Sequence, residues 1–152
     1  MHNPADLETY FQLVDLHVAD DRLGEATVVL GKALAASGND FRAQERLEDV
    51  EILQKRQQLA IAERRATQEE SSQRRELADQ LRDDLNRYEL QVYDRRAQRY
   101  PQDQELCFQL GVRLKRAGNY REALKQLEQA GNLDTRSAAV ALEQGECWQR
   151  LK

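Results

Sequence analysis

The side chains able to do chemistry are few in this 152-residue chain, and they are scattered. An imidazole shuttles protons or ligates metals near neutral pH, and the only imidazoles are His2 and His17. A thiolate is a nucleophile or a soft metal ligand, but Cys107 and Cys147 form no CxxC or Cys/His cluster. They read as buried structural thiols on helical faces. Adjacent carboxylates occur at Asp20-Asp21 and Asp83-Asp84, a pattern that suits a divalent cation only when further oxygen ligands converge on it. At a helix start or on a solvated face, such pairs are capping or surface residues. There is no Gly-rich phosphate loop and no Ser/His/Asp or Cys/His arrangement with recognisable context. The chain therefore reads as non-enzymatic, with no catalytic, cofactor-binding or metal residue assigned and no cofactor expected.

The arginine doublets Arg64-Arg65, Arg74-Arg75 and Arg95-Arg96 are the only features pointing toward nucleic acid, and each has Glu or Asp nearby at helical spacing. Net charge is −5 over residues 1–40, zero over 41–100 and +1 over 101–152, giving −4 for the chain. A nucleic-acid surface needs a one-sided basic excess and exposed aromatics, so no nucleic-acid partner is expected. No run of apolar residues is long enough for a membrane span. Met1-His2-Asn3-Pro4 lacks the basic and apolar regions of a signal peptide, so the chain is expected to be soluble and cytoplasmic.

The elements that hold these residues are expected to be helices. Ala, Leu, Gln, Glu and Arg dominate, glycine and proline are sparse, and β-branched residues are few. Asn3-Pro4-Ala5-Asp6 combines a capping side chain, a proline suited to the first helical position and an acid in the first turn. Ser37-Gly38 closes a second helix, and Asp103, just after Pro101, is placed to cap a later one. Asn119-x2-Glu122 reads as a variant capping box, opening a helix that Ala130-Gly131 closes.

Gly111 and Gly145 stand 34 residues apart within similarly patterned amphipathic segments. Around the first the chain reads Cys107-x2-Leu110-Gly111-x2-Leu114, then a Gly118-Asn119 break, then Ala123-x3-Leu127-x2-Ala130. Near the start, Tyr10-x2-Leu13-Val14-x2-His17 is followed by Ala26-x3-Leu30-x2-Ala33 at the same offset, since Leu13 to Ala26 equals Leu110 to Ala123. Ala141-x2-Gln144-Gly145-x2-Trp148 supplies a third, partial match.

This spacing resembles the tetratricopeptide repeat, a 34-residue helix-turn-helix with a small residue where its helices cross. The match covers Leu7 to Asp40 and Gln104 to Lys152, with Cys107, Leu114 and Leu127 at family aromatic positions and Thr135 at the closing proline. The resemblance implies an all-α, solenoid-like stack of antiparallel helix pairs. Residues 4–40 form one pair, 101–136 another, and 137–152 the first helix of a further, truncated repeat. Leu13, Ala26, Leu30, Ala33, Leu110, Gly111, Ala123, Leu127, Ala130, Gly145 and Trp148 are assigned to packing within and between repeats. Leu142, Trp148 and Leu151 share a face that the missing helix would cover, which suggests a piece of a longer array.

Between the matched regions, residues 41–100 contain neither glycine nor proline. One continuous helix of that length would extend about 90 Å and require a partner for its apolar stripe. Alternatively, the polar stretch 67–73 is the tip of an antiparallel hairpin, with Ser71 or Ser72 capping the second helix. Centring a hairpin on Glu70 matches Leu47 with Tyr93, Val50 with Leu90, Ile52 with Tyr88, Leu59 with Leu81 and Ala62 with Ala78. The same centring sets Leu53 against Arg87 and Leu85 against Lys55. The hairpin is favoured, as a long charged arm of coiled-coil character, with helices over Phe41 to Ala66 and Ser72 to Arg99.

The resemblance implies a binding scaffold, because stacked helix pairs curve around a groove that holds a peptide or partner helix. Tyr10, Gln12, Asp15, Gln109, Arg113 and Arg116 are the candidate groove residues, and His17 is expected to be a packed core histidine. Family members that bind chaperone tails clamp a terminal carboxylate with Lys, Arg and Asn. The corresponding inner positions here, Phe11, Asp15, Arg46, Glu105 and Gln109, lack that clamp. The expected partner is a protein or peptide of unspecified identity. The alternative is a structural spacer or oligomerisation element, with dimerisation through 41–100 or the C-terminal edge.

Overall fold

The computed structural model describes residues 4–131 and 137–152, with side chains described from Asp6 onward. Asn3 and Thr135, assigned a cap and the repeat-closing position from sequence, lie outside the described residues. Seven helices are present among the described residues, and no strand: α1 (Pro4–Ala19), α2 (Leu23–Ser37), α3 (Phe41–Gln68), α4 (Ser72–Arg99), α5 (Gln104–Arg116), α6 (Tyr120–Ala130) and α7 (Ser137–Leu151). The fold is all-α. Two compact units divide it, 1–81 and 82–152, with the boundary inside α4.

In the first unit Leu7, Phe11 and Val14 recur at helical spacing on α1 and pack against Leu23, Ala26, Val29, Leu30 and Ala33 of α2. Ala43 and Val50 of α3 complete this core, so α3 lies on α2 and also touches α1. The α1–α2 turn places Asp21 at φ 59°, and its carboxylate accepts a 2.7 Å hydrogen bond from Gln57 of α3. Gly38 ends α2 at φ 67°, a left-handed conformation that glycine adopts without steric penalty. Asp40 caps α3 by accepting from the Arg42 N–H at 2.8 Å.

The helix breaks at Glu69, Glu70 and Ser71, inside the stretch that the sequence marks as a tip. Ser71 N–H donates to the Glu69 carbonyl at 2.7 Å, and the Ser71 carbonyl then accepts from Arg75 to start α4. Gln58, Ile61, Ala62 and Arg65 line a groove together with Arg74, Leu77 and Leu81. These two sets lie at matching distances on either side of the break, as two helices running in opposite directions require. The chain therefore doubles back here.

In the second unit Asp103 caps α5 by accepting from Leu106 N–H at 3.1 Å. Cys107 of α5 packs with Ala123, Leu124, Leu127 and Ala130 of α6 and with Val140 and Cys147 of α7. As in the first unit, the last helix lies on the middle one and touches the first, here α7 on α6 and α5. Gly111 marks the α5–α6 crossing, since a Cβ there would stand 2.8 Å from Leu127 Cγ and 2.9 Å from Leu127 Cδ2. Ala26, Leu30 and Ala33 and their equally spaced counterparts Ala123, Leu127 and Ala130 are all buried, each set in its own unit.

Four local readings need correction. Leu13 is 42% exposed, because the core stripe of α1 runs through Leu7, Phe11 and Val14, whereas the equally spaced Leu110 is buried. Gly145 faces open space, and Trp148 is 57% exposed, because α7 packs through Val140 and Cys147 instead. Asn119 precedes α6 but its side chain makes no capping hydrogen bond. Gly131 closes that helix where the sequence reading set its end, at φ −71°.

Candidate interaction surfaces

The six residues expected to line a groove fall three to each unit, and their environments differ sharply. On α1, Gln12 and Asp15 are exposed and Tyr10 is half-buried. Tyr10 lines a shallow depression with Asp6, Thr9, Leu13 and Ala36. Asp15 is drawn to Arg46 of α3 at 2.6 Å, and the Arg46 guanidinium lies 4.5 Å from the Phe11 ring centroid. Asp15 thus joins α1 to α3 rather than standing free, and Phe11 is a core residue rather than an inner-face contact.

On α5 the residues Glu105, Gln109 and Arg113 are spaced by four and share one helix face. Gln109 Nε2 donates to Glu105 at 2.7 Å. Arg113 Nη1 donates to the Gln109 carbonyl at 3.0 Å and to its side-chain oxygen at 2.7 Å. The second half of α4 closes over this row. Glu89 Oε2 lies 2.9 Å from Arg113 Nε, and the guanidinium sits 3.9 Å from the Tyr93 ring centroid. The Nε–H is not aligned on that oxygen, so the contact is charge pairing rather than a directed hydrogen bond. Arg113 is a buried structural cation and not a groove residue, whereas Arg116 is exposed. Sequence shows the α5 spacing, but Glu89 and Tyr93 become visible as its partners only once α4 is placed.

No protein-family model matches the chain, and no curated protein matches it.

A second polar cluster joins α5 to α7. Lys115 pairs with both Glu143 and Glu146. Burial disfavours the ammonium, but the two carboxylates outweigh it and hold the lysine above its ordinary range. Cys107 and Cys147 are free thiols in one core. Burial pushes both thiols up, so both stay protonated near neutral pH. His17 is half-buried near the end of α1, with no hydrogen-bond partner for Nδ1 among the described residues. Asp20 pairs with Arg22, and Asp84 lies 3.7 Å from Arg87. Among the described residues no group of three His, Cys, Asp or Glu side chains is arranged to hold a metal.

The hairpin tip is a different kind of surface. Ile61 and Leu77 are each 51% exposed, while Ala62 beneath them is buried. Arg65 and Arg74 also line this groove of about 390 Å³, and no carboxylate does. Arg74 is steadied by Glu69 at 2.7 Å. On α7, Leu142, Trp148 and Leu151 are exposed, while Val140 and Cys147 are buried in the core. No described helix is long and apolar enough to cross a membrane.

Proposed function

We propose that this chain is a non-enzymatic protein-interaction module, a scaffold of tetratricopeptide-like helix pairs with a charged helical hairpin, which holds a peptide or partner helix. The observation that carries the reading is the gathering of large apolar side chains at solvent-facing positions on helices that also contribute to packed cores. Ile61 and Leu77 gather at the hairpin tip, and Leu142, Trp148 and Leu151 are exposed along α7. Helix faces of this kind engage peptides and helices through a few anchoring side chains. The recurring arrangement in the two units, with a third helix lying on the second and touching the first, supports the scaffold half of the reading.

Selection of a displayed library of helical and extended peptides against the folded chain tests this function. Sequence-related binders that shift helix-face resonances in the NMR spectrum are the expected result. A library that enriches nothing above a scrambled control contradicts the function.

Exposure of Ile61 and Leu77 also supports a second reading, in which the arm acts as a structural spacer or pairs with another copy of itself. Particle mass separates the two, because self-pairing doubles it and capture of a different protein does not.

A further inference from the structure

We propose that the groove at the tip of the α3–α4 hairpin receives an amphipathic helix of a different protein, one that carries carboxylates beside its apolar stripe. The proposal rests on the interaction-module reading and specifies its partner. Three observations set the chemistry. The groove centre is aliphatic, with Ile61 and Leu77 half exposed, Leu81 half-buried and Ala62 and Ala78 buried nearby, so apolar anchors at helical spacing fit it. Its α3 side runs from Gln58 to Arg65 and its α4 side from Arg74 to Leu81, a length of about two helical turns.

The charge of the lining is one-sided. Arg65 and Arg74 line the groove without an acid, although the hairpin as a whole is balanced. The pairing of Arg74 with Glu69 holds its guanidinium near the groove, where a planar fork suits a carboxylate. An isologous contact of this groove with its own copy would bring two arginine-bearing linings together with no carboxylate in either lining to pair with them. An acidic helix meets them with opposite charge.

The test uses the full chain and a fluorescein-labelled helical peptide of two heptads, with leucines on one face and glutamates flanking them. A twin peptide has lysine at every glutamate. Anisotropy titrations are expected to show the acidic peptide binding at least about tenfold more tightly than its twin, with affinity falling as salt rises. Leu77→Ser and Arg74→Gln should each weaken binding severalfold, while Leu142→Ser on α7 should not. All three positions are surface-accessible, and thermal melts confirm that the variants remain folded.

Equal binding of the lysine twin, no binding of the acidic peptide, or a doubled particle mass that depends on Leu77 would overturn the proposal. Binding that survives Leu77→Ser and Arg74→Gln would overturn the tip site alone and leave the module reading standing. Failure of the library as well would remove both.

Discussion

Arg113 of α5 and Glu89 of α4 lie 2.9 Å apart with side chains only 7% and 3% exposed, and Tyr93 stacks on the same guanidinium at 3.9 Å. A charge taken out of water is costly unless an opposite charge and further hydrogen-bond partners replace the lost hydration. Here Gln109 supplies two acceptors, Glu89 the charge and Tyr93 the π face. The α5 row suggested from sequence as a ligand-facing surface is thereby occupied from within.

Removing one member of this pair should strand the other. Glu89→Leu or Arg113→Met alone is expected to lower unfolding free energy by about 3–5 kcal/mol, whereas the double replacement should cost much less. Urea titrations of the four proteins form the cycle. Single variants that match the wild-type midpoint would show that the pair contributes nothing.

The glycines give an opposed pair of outcomes. Gly111→Ala places a Cβ 2.8 Å from Leu127 Cγ, and the overpacking should destabilise the fold by about 1–3 kcal/mol, less what alanine gains in helix propensity. Gly145→Ala lies mid-helix with nothing within 4 Å and should instead stabilise by about 0.5–1 kcal/mol. Thermal melts of the two variants should therefore move in opposite directions.

Capping gives a similar contrast. Asp103 accepts from Leu106 N–H at the start of α5, so Asp103→Ala should cost about 1 kcal/mol. Asn119 makes no such bond at the start of α6, and Asn119→Ala should change stability far less. Equal losses at the two positions would contradict the assigned caps.

Lys115 fixes the sign of an alkaline effect. Its folded pKa is raised above the ordinary 10.5, burial opposing the charge but Glu143 and Glu146 outweighing it. The pairing therefore contributes fully below pH 10.5 and is lost as pH rises through the folded value. The stability gap between wild type and Lys115→Met should hold from neutral to mildly alkaline pH and shrink above pH 10.5. A gap that widens there would contradict the ion-pair account.

What could be read beforehand depended on how local its cause was. The glycine crossing at Gly111 and the small buried residues at Ala26, Ala33, Ala123 and Ala130 follow from helix geometry and equal spacing. The break at Glu69 to Ser71 was legible because neighbouring residues match in type about it, even without glycine or proline. The fate of Arg113 was not, since it depends on α4 bringing Glu89 and Tyr93 onto α5. Likewise Leu13 and Leu110 share a repeat position but differ in burial, a difference that tertiary neighbours set and spacing does not. The tip groove was missed because Ile61 and Leu77 read as ordinary members of an apolar stripe until their exposure was known.

On the proposed function the exposed helix faces serve a different protein and not another copy of this one. Size-exclusion chromatography with light scattering over a dilution series separates the two. The expected outcome is a constant mass near 17.6 kDa. A mass of twice that value, falling on dilution or on Leu77→Ser, would contradict it and turn the arm into an assembly element.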